Sequence, residues 1–140
     1  IEFAKKMDKP ILLDFTGYAC VNCRKMEEHV WSLPEVDKVL RDNFVLISLY
    51  VDDKKQLPET EKLYVERTSG IGLRKLENYG HKWAHFQARY FGVNSQPFYL
   101  LMDPHTLQIL NKPVGYMPDA NEYISFLKCG LSEFKSSKEK

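Results

Sequence analysis

Two cysteines separated by two residues are the side chains best suited to chemistry in this sequence. Cys20 and Cys23 follow a run typical of a buried strand and open a stretch with helical periodicity. At the start of a helix, free amide groups and the helix dipole favour the thiolate of the first cysteine, and the second lies within disulfide reach. This placement predicts a redox-active pair, against the alternative of two core cysteines at helical spacing.

A carboxylate lies in the strand that leads to the cysteines. Asp14 interrupts the apolar run Ile11–Thr16, which is predicted to be a strand buried on both faces. Since a charged residue is seldom buried without a partner or a function, we interpret Asp14 as the base that deprotonates Cys23. The alternative is a strand acid hydrogen-bonded to a neighbouring loop. Glu27, in the following helix, would by itself be interpreted as a solvated acid.

The remaining cysteine and the histidines do not favour a metal site. Structural zinc usually takes four ligands, often as two closely spaced pairs, and the sequence has one such pair among its three cysteines. The histidines follow no ligand spacing; they are His29, His81, His85 and His105. We expect no metal and no cofactor, with His29 on the surface and Cys129 as a buried or half-buried spectator in the last helix.

Composition and charge narrow the class of protein. The chain has 140 residues, 44% of them hydrophobic and 28% charged, with a formal net charge of +1. These values fit one globular domain over residues 1–140, and they give no global field to attract nucleic acid or anionic lipid. No apolar run is long enough to cross a bilayer. The chain begins without methionine, and we expect a piece of a longer protein.

The periodicity of apolar residues and the positions of proline and glycine predict the elements. Predicted strands cover residues 11–16, 44–51, 98–102 and 108–114. Predicted helices cover 3–7, about 20–30, a stretch that begins at Pro34, 82–91, and a last helix that begins at Pro118. Ser32 is a possible cap of the helix that begins at Pro34. Residues 54–80 are polar and irregular, and 135–140 are expected to be a frayed tail. Early crossovers favour parallel pairing, and the late short turn favours antiparallel pairing. The prediction is an α/β domain with a mixed central sheet and helices on both faces.

Aromatic residues outside the motif have ordinary interpretations. Four of them fall at helical spacing and are predicted to be core rather than a binding surface: Trp83, Phe86, Tyr90 and Phe91. Tyr18, next to the cysteines, either shields them or contacts a partner, and the sequence favours neither.

The longest recognisable segment surrounds the cysteines. Asp14–Glu27 resembles the active-site segment of the thioredoxin superfamily, and within it that of the C-terminal periplasmic domains of DsbD-type thiol:disulfide interchange proteins. Lys9–Phe15 and Val93–Phe98 fit the same family. The resemblance extends from about residue 4 to 130 and is loosest over 54–80, which we interpret as an insertion. It implies a thioredoxin-like fold.

The resemblance implies a role for particular residues. Cys20 matches the exposed nucleophile, and Cys23 matches the cysteine that resolves a mixed disulfide. Asp14 matches a buried acid behind the pair, and Glu27 matches a second acid. Pro97 matches a proline whose preceding peptide bond is cis and faces the cysteines, a geometry found in roughly 5–6% of such bonds.

Two positions depart from ordinary thioredoxins. Ala19 stands where tryptophan is usual, and Val21-Asn22 replaces the usual Gly-Pro between the cysteines. These changes argue against an ordinary cytosolic thioredoxin and bear on the choice of partner. Negative charges on Asp14 and Glu27 should raise the thiol pKa against the helix dipole, which predicts a potential nearer about −270 mV than about −120 mV.

The function implied by the resemblance is the reduction of protein disulfides without a cofactor. Electrons would arrive from a membrane-embedded domain of the same protein and leave to other periplasmic thiol proteins, in electron transport of the kind that serves cytochrome c biogenesis. The domain would lie at the periplasmic face of the bacterial inner membrane without touching it. Two alternatives remain: a non-catalytic module that binds a partner through the surface around residues 54–92, and an oxidase or isomerase that donates disulfides.

Overall fold

A computed structural model describes residues 1–138, in which strands and helices alternate over most of the chain. The helices are α1 (Glu2–Met7), α2 (Val21–Met26), α3 (Pro34–Asn43), α4 (Tyr79–Phe91) and α5 (Ala120–Lys138), with a π-helical turn at Glu27–Trp31 and a 3₁₀ turn at Glu59–Glu61. The strands are β1 (Ile11–Thr16), β2 (Val45–Tyr50), β3 (Tyr64–Glu66), β4 (Leu73–Lys75) and β5 (Phe98–Met102). Over these described residues, no helix has the length and apolar character needed to span a membrane.

A three-stranded mixed sheet forms the centre of the molecule. β1 lies in the middle, with β2 parallel on one side and β5 antiparallel on the other. Every residue of β1 is buried, including Asp14, as expected for a strand covered on both faces. In this register Asp14 is level with Ser48 of β2 and Tyr99 of β5. The predicted mixed sheet is confirmed.

Helices cover both faces of this sheet. Alternate residues of β1 point to opposite faces, so Leu12 packs in one core and Ile11 in the other. The first core joins the sheet to α2, the π-helical turn, α3 and α5; its members include Leu12, Met26, Val30, Val36, Tyr99, Leu101, Tyr123 and Leu127. The second joins the sheet to α1 and α4; its members include Ala4, Ile11, Leu13, Phe15, Phe98 and Leu100, with Trp83, Phe86 and Phe91 against them. The predicted thioredoxin-like arrangement is therefore confirmed.

The helix α4 begins earlier than the predicted residue 82. It starts at Tyr79 because the side-chain oxygen of Asn78 accepts a hydrogen bond from the backbone N–H of His81 at 2.8 Å and so caps the helix. It ends as predicted, before Gly92, whose φ of 67° lies in the left-handed region that glycine tolerates.

The segment that follows Asp53 is more ordered than its polar composition predicted. β3 and β4 form a short antiparallel hairpin whose turn uses Gly70 and Gly72, at φ values of 83° and 80°. Val65 and Arg74 are opposite one another in this hairpin and half-buried, while their neighbours along both strands are exposed. By the alternation of a strand, Val65 and Arg74 therefore share the face turned toward the rest of the molecule.

The continuous strand predicted at residues 108–114 is wrong. Two isolated antiparallel bridges, at Ile109 and at Val114, join this segment to β5. Pro113 lies between them and has no amide hydrogen to donate, which interrupts a regular ladder. The predicted antiparallel direction of the pairing is confirmed.

Two predictions about helix ends are also wrong. The Ser32 hydroxyl donates to the carbonyl of Glu28 in the preceding turn, so it does not cap α3. The tail from residue 135, predicted to be frayed, continues α5 as far as Lys138, and residues 139–140 lie outside the described part of the chain.

Two side chains are more exposed than predicted. Tyr90 lies on the solvent side of α4, although Trp83, Phe86 and Phe91 pack against the core as predicted. Cys129 is exposed on α5, because the buried residues of that helix lie on another face.

Candidate active site

The two cysteines meet where β1 ends and α2 begins. Cys20 occupies the position before the first helical residue, and its sulfur accepts a hydrogen bond from the backbone N–H of Cys23 at 3.1 Å. The two residues form a disulfide with an S–S distance of 2.16 Å and Cα atoms 5.2 Å apart. The predicted pairing is confirmed, and the first sulfur lies at the helix end whose free amides favour negative charge.

The two sulfur-bearing residues differ in their access to solvent. Cys23 is 2% exposed, whereas Cys20 is half-buried. Val21, between them, is exposed, so the start of α2 is open to a second protein. The cysteine that such a protein can reach is Cys20.

Asp14 lies on the face of the sheet that α2 covers. It has the same strand parity as Leu12, which packs in one core with Met26 of α2. Asp14 is 4% exposed, and its Oδ2 accepts a hydrogen bond from the Ser48 hydroxyl at 3.0 Å. Its Oδ1 is buried with no hydrogen-bond partner among the described residues. The alternative considered from the sequence placed its partner in a loop; the partner belongs to the neighbouring strand β2.

The ionisation of Asp14 is displaced toward neutrality. Burial raises the pKa of this carboxyl group to about 7; the hydrogen bond from Ser48 opposes the rise, nearby Glu27 adds to it, and Arg24 opposes it. A carboxyl group with a pKa near 7 can accept and release a proton at neutral pH. This is the property required of a base for the Cys23 thiol.

Arg24 connects the second acid to the end of β1. Its Nη2 lies 2.7 Å from Glu27 Oε2 and donates to Thr16 Oγ1 at 3.2 Å. Glu27 is therefore a paired acid, and its negative charge is largely compensated. Sequence reasoning missed Arg24, although the i,i+3 spacing to Glu27 in a helix was a signal that could have found it.

A second residue missed from the sequence, Asp52, holds the loop before Cys20. Its carboxylate accepts hydrogen bonds from the backbone N–H groups of Tyr18 and Ala19 at 2.9 and 3.0 Å. Burial acts to raise the pKa of Asp52, but these two amides, together with the backbone N–H of Asp52 itself and nearby Arg24, outweigh burial and hold the pKa below its ordinary value. A side-chain carbon at Gly17 would lie only 3.2 Å from this carboxylate, which explains the glycine. The signal was an acid after β2, because parallel strands β1 and β2 end at the same edge.

Tyr18 provides an aromatic surface close to the cysteines in sequence. Its ring stacks on that of Tyr50, with centroids 4.1 Å apart and planes inclined by 15°. The side chain is nevertheless 61% exposed. An apolar ring that is stacked on one face and open on the other is suited to contact a partner.

Pro97 enters β5 at the edge of the sheet from which the cysteine loop departs. The Gln96–Pro97 peptide bond is cis, as predicted. Phe98 pairs with Phe15 in the antiparallel register, so the preceding residue is level with Thr16, where β1 ends.

A buried glutamine holds the loop before Pro97. Gln87 of α4 is 0% exposed; its Nε2 donates to the Ser95 carbonyl at 2.9 Å, and its Oε1 accepts from the side-chain amide of Gln96, also at 2.9 Å. Sequence reasoning missed Gln87, and the available signal was a polar residue between the core aromatics of α4.

Side chains that could ligate a metal are scattered. Over residues 1–138, no group of three or more histidine, cysteine, aspartate or glutamate side chains is positioned to hold an ion. His29, the histidine nearest to the pair in sequence, is exposed on the π-helical turn as predicted.

Several solved structures have a similar fold. A DsbH oxidoreductase matches with a TM-score of 0.64 and 22% identity, over 94% of this chain and 78% of that chain. A thioredoxin from Thermus thermophilus matches with a TM-score of 0.60 and 21% identity, over 91% and 77%. The oxidised DsbD C-terminal domain of Neisseria meningitidis matches with a TM-score of 0.56 and 18% identity, over 91% and 85%. At these identities the likeness establishes the fold.

Sequence comparison gives the family. Spermatogenesis-associated protein 20 of Mus musculus and of Rattus norvegicus are 33% and 35% identical to this chain over 72 residues, 49% of this chain and 9% of each relative. The chain thus spans a small part of these relatives' length. The fold and a cysteine pair at disulfide distance support thiol–disulfide oxidoreductase activity in general. The model of the thioredoxin-like domain family matches residues 1–129, and the chain belongs to that family.

Proposed function

We propose that this domain reduces disulfide bonds in other proteins, with Cys20 as the nucleophile and Cys23 as the resolving cysteine. The observation that carries the proposal is the arrangement of the pair: a half-buried sulfur-bearing residue at a helix start, a buried one after it, and a buried carboxyl group with a pKa of about 7 on the face that α2 covers. A purely structural disulfide gains nothing from a buried acid with an unpartnered oxygen.

In the first step the Cys20 thiolate attacks one sulfur of a partner disulfide. The partner S–S bond breaks, its second sulfur leaves as a thiolate, and a mixed disulfide joins Cys20 to the partner. The amides at the start of α2 stabilise the attacking thiolate. The exposed ring of Tyr18 offers an apolar contact for the partner chain during this step.

In the second step Cys23 releases the partner. The Cys23 thiol gives its proton to the Asp14 carboxylate, and the resulting thiolate attacks the sulfur of Cys20. The mixed disulfide breaks, and the partner sulfur that was bonded to Cys20 leaves as a thiolate. Both partner thiolates then take up protons from water. Two electrons have passed to the partner, the domain holds the Cys20–Cys23 disulfide, and Asp14 returns its proton to water.

The direction of transfer, reduction of the partner, is supported by the charges near the pair. Asp14 is negative above pH 7, and Asp52 holds a carboxylate against the loop before Cys20. Both disfavour a further negative charge on sulfur, which makes the disulfide more stable and lowers the potential. Glu27 contributes less than its sequence position suggested, because Arg24 compensates its charge.

The proposal extends to the setting of the domain. We place it in the periplasm, where a membrane-embedded part of the same protein would reduce it again after each cycle, in electron transport of the kind that serves cytochrome c biogenesis. The DsbD C-terminal domain of Neisseria meningitidis, one of the similar structures, supports this setting. Pro97, at the edge of the sheet where β1 ends, would lie against the mixed disulfide.

The redox equilibrium of the Cys20–Cys23 pair tests the direction. In a glutathione or dithiothreitol buffer with a known ratio of reduced to oxidised form, we expect a potential of about −270 mV. A value above roughly −180 mV would favour an oxidase or isomerase over a reductase. Alkylation of the reduced protein tests whether the pair reacts at all. A thiol at Cys20 that reacts no faster than a free peptide cysteine would favour the non-catalytic binding module.

A further inference from the structure

A groove lined by basic side chains separates the tip of the β3–β4 hairpin from α4. One cavity has a volume of about 320 Å³, and its walls include Arg67, Thr68, Arg74, His85, Ala88 and Asn94. An adjoining cavity of about 320 Å³ shares Arg67, Thr68 and Ala88 and extends to Glu66 and Arg89. Because the two cavities share a wall, they form one elongated groove along α4.

Arg74 is the half-buried arginine of this groove, whereas Arg67 and Arg89 are exposed. It lies on the face of the hairpin that is turned toward the molecule, and it is half-buried. Over residues 1–138 it forms no ion pair, whereas Lys62 and Lys82 of the same region pair with glutamates at 2.9 Å. A half-buried guanidinium without a carboxylate is a strong donor of paired hydrogen bonds to an oxyanion.

Arg67 adds a second guanidinium from a fixed piece of backbone. Its N–H donates to the Gly72 carbonyl at 3.0 Å, and its carbonyl accepts from the Gly70 N–H at 2.9 Å. These bonds close the hairpin turn and fix the point from which the Arg67 side chain starts. Arg67 also forms no ion pair within the described part of the chain.

We propose that this groove binds an acidic segment of a partner protein, with carboxylates on Arg67 and Arg74. The small side chains Ala84 and Ala88 leave room on the α4 side, and Asn94 offers a neutral hydrogen-bond donor at one end. An elongated groove with two unpaired guanidinium groups suits an extended chain that carries several carboxylates better than one small ion. Glu66, the acid in the adjoining wall, opposes such binding and limits its strength.

A short loop connects the groove to Pro97. Asn94 belongs to the loop between α4 and β5, and this loop continues through Ser95 and Gln96 to Pro97. One partner protein could therefore place an acidic segment in the groove and present its disulfide to Cys20 at the end of β1. The binding does not rest on the proposed reductase activity and is measured without it.

The proposal is tested by titrating the oxidised protein, at low ionic strength, with a peptide of alternating Glu and Gly residues whose two ends are blocked. We expect saturable binding that weakens as salt is added, and none to the matched Gln-Gly peptide. Arg74→Gln should weaken binding about tenfold, the effect of losing one charge-assisted contact. Arg41→Gln removes the same charge from α3, where Arg41 pairs with Asp37 at 2.8 Å, and should leave the affinity unchanged.

Two further variants distinguish the loss of a binding contact from a local loss of structure in Arg74→Gln. Arg67→Gln, on the exposed turn, should also weaken binding, and Glu66→Gln should strengthen it about twofold by removing the opposing charge. No binding, or equal losses in Arg41→Gln and Arg74→Gln, would overturn the proposal. So would inorganic phosphate that displaces the peptide at equal concentration, or an oligonucleotide of equal charge that binds more tightly. None of these outcomes depends on the redox potential, so the two proposals fail separately.

Discussion

The redox site and the basic groove both contain charged side chains, but these side chains differ in their burial and in their bonding partners. Asp14 is fully enclosed, with one hydrogen bond from Ser48 and a pKa raised by burial to about 7. Arg74 is half-buried, faces an open cavity and forms no ion pair over residues 1–138. An enclosed acid is poised to exchange a proton, whereas an open guanidinium is poised to bind an anion. Under the two proposals, reaction and recognition lie in separate parts of the chain.

The two regions also differ in what supports them. The redox site stands on β1, which is buried along its whole length and paired on both sides. The groove stands on a hairpin whose strands β3 and β4 have 3 residues each. Changes at the redox site should therefore alter both chemistry and stability, and changes in the groove should alter binding alone.

The largest expected effect is the loss of exchange when either cysteine is replaced. Cys20→Ser should abolish the reduction of a protein disulfide and form no mixed disulfide, because the nucleophile is gone. Cys23→Ser should also stop turnover but should accumulate mixed disulfides, since Cys20 still attacks and nothing resolves the product. Non-reducing electrophoresis after incubation with an oxidised partner measures both.

The exposed Cys129 provides the matched control for these variants. Cys129→Ser should behave as wild type, because this thiol lies on α5 outside the pair. Mixed disulfides that still form in Cys20→Ser, or turnover that is lost in Cys129→Ser, would show that Cys20 is not the nucleophile.

Asp14→Asn should stabilise the folded domain above neutral pH. The pKa of Asp14 is about 7 in the folded state against 3.8 for a free aspartate, so the folded state binds more protons between these values and loses stability as pH rises through them. A shift of this size corresponds to at most about 4 kcal/mol, and we expect a gain of about 2–4 kcal/mol at pH 8. Urea denaturation at pH 8 and at pH 3 measures the difference, which should vanish at the lower pH.

The same variant should slow the chemistry while it strengthens the fold. Without the base, resolution of the mixed disulfide by Cys23 should slow about 100-fold, and the pKa of the Cys20 thiol should fall as a negative neighbour disappears. Asp42→Asn, exposed on α3, is the control and should change neither property. If the rate at which Cys23 resolves the mixed disulfide and the pKa of the Cys20 thiol are both unchanged in Asp14→Asn, then Asp14 has a structural role only. The distinction drawn between the two regions would then be lost.

A smaller effect is expected at Gln87, which lies between the two regions. Gln87→Ala removes the partners of the Ser95 carbonyl and the Gln96 amide, which should cost about 1–3 kcal/mol of unfolding free energy. Exchange should also slow, since this loop positions Pro97. Urea denaturation and turnover assays measure both effects, with the exposed variant Gln108→Ala as the control. Equal unfolding free energies and equal turnover in the two variants would show that Gln87 does not hold the loop.

The sequence predicted the redox site far better than the groove, for physical reasons. A strand buried on both faces and a helix with apolar periodicity leave a strong pattern, so β1, Cys20, Cys23 and Asp14 could be identified before the fold was known. The cis bond before Pro97 followed from the resemblance to thioredoxins. These features depend on local pattern.

Arg24, Asp52 and Gln87 could not be predicted with equal ease, because each bonds to a residue of another strand or loop that only the fold brings near. Asp52 binds amides 33 and 34 residues away, and the charged residues of the hairpin look in sequence like any solvated surface. Pro113 shows the reverse case: its missing amide could have indicated that 108–114 would pair only at isolated points.

The smallest expected effect is on the stability of the hairpin when Arg74 is replaced. Arg74→Gln removes a charge with no ion pair in residues 1–138, so the unfolding free energy should change by less than about 0.5 kcal/mol. At low salt the change should be slightly favourable, because repulsion from Arg67 is relieved, and added salt should erase the difference. Urea denaturation at two ionic strengths measures this. A loss above about 1 kcal/mol would mean that Arg74 supports the fold. Weaker peptide binding by Arg74→Gln could then follow from the loss of structure, and it would no longer indicate that Arg74 recognises the peptide.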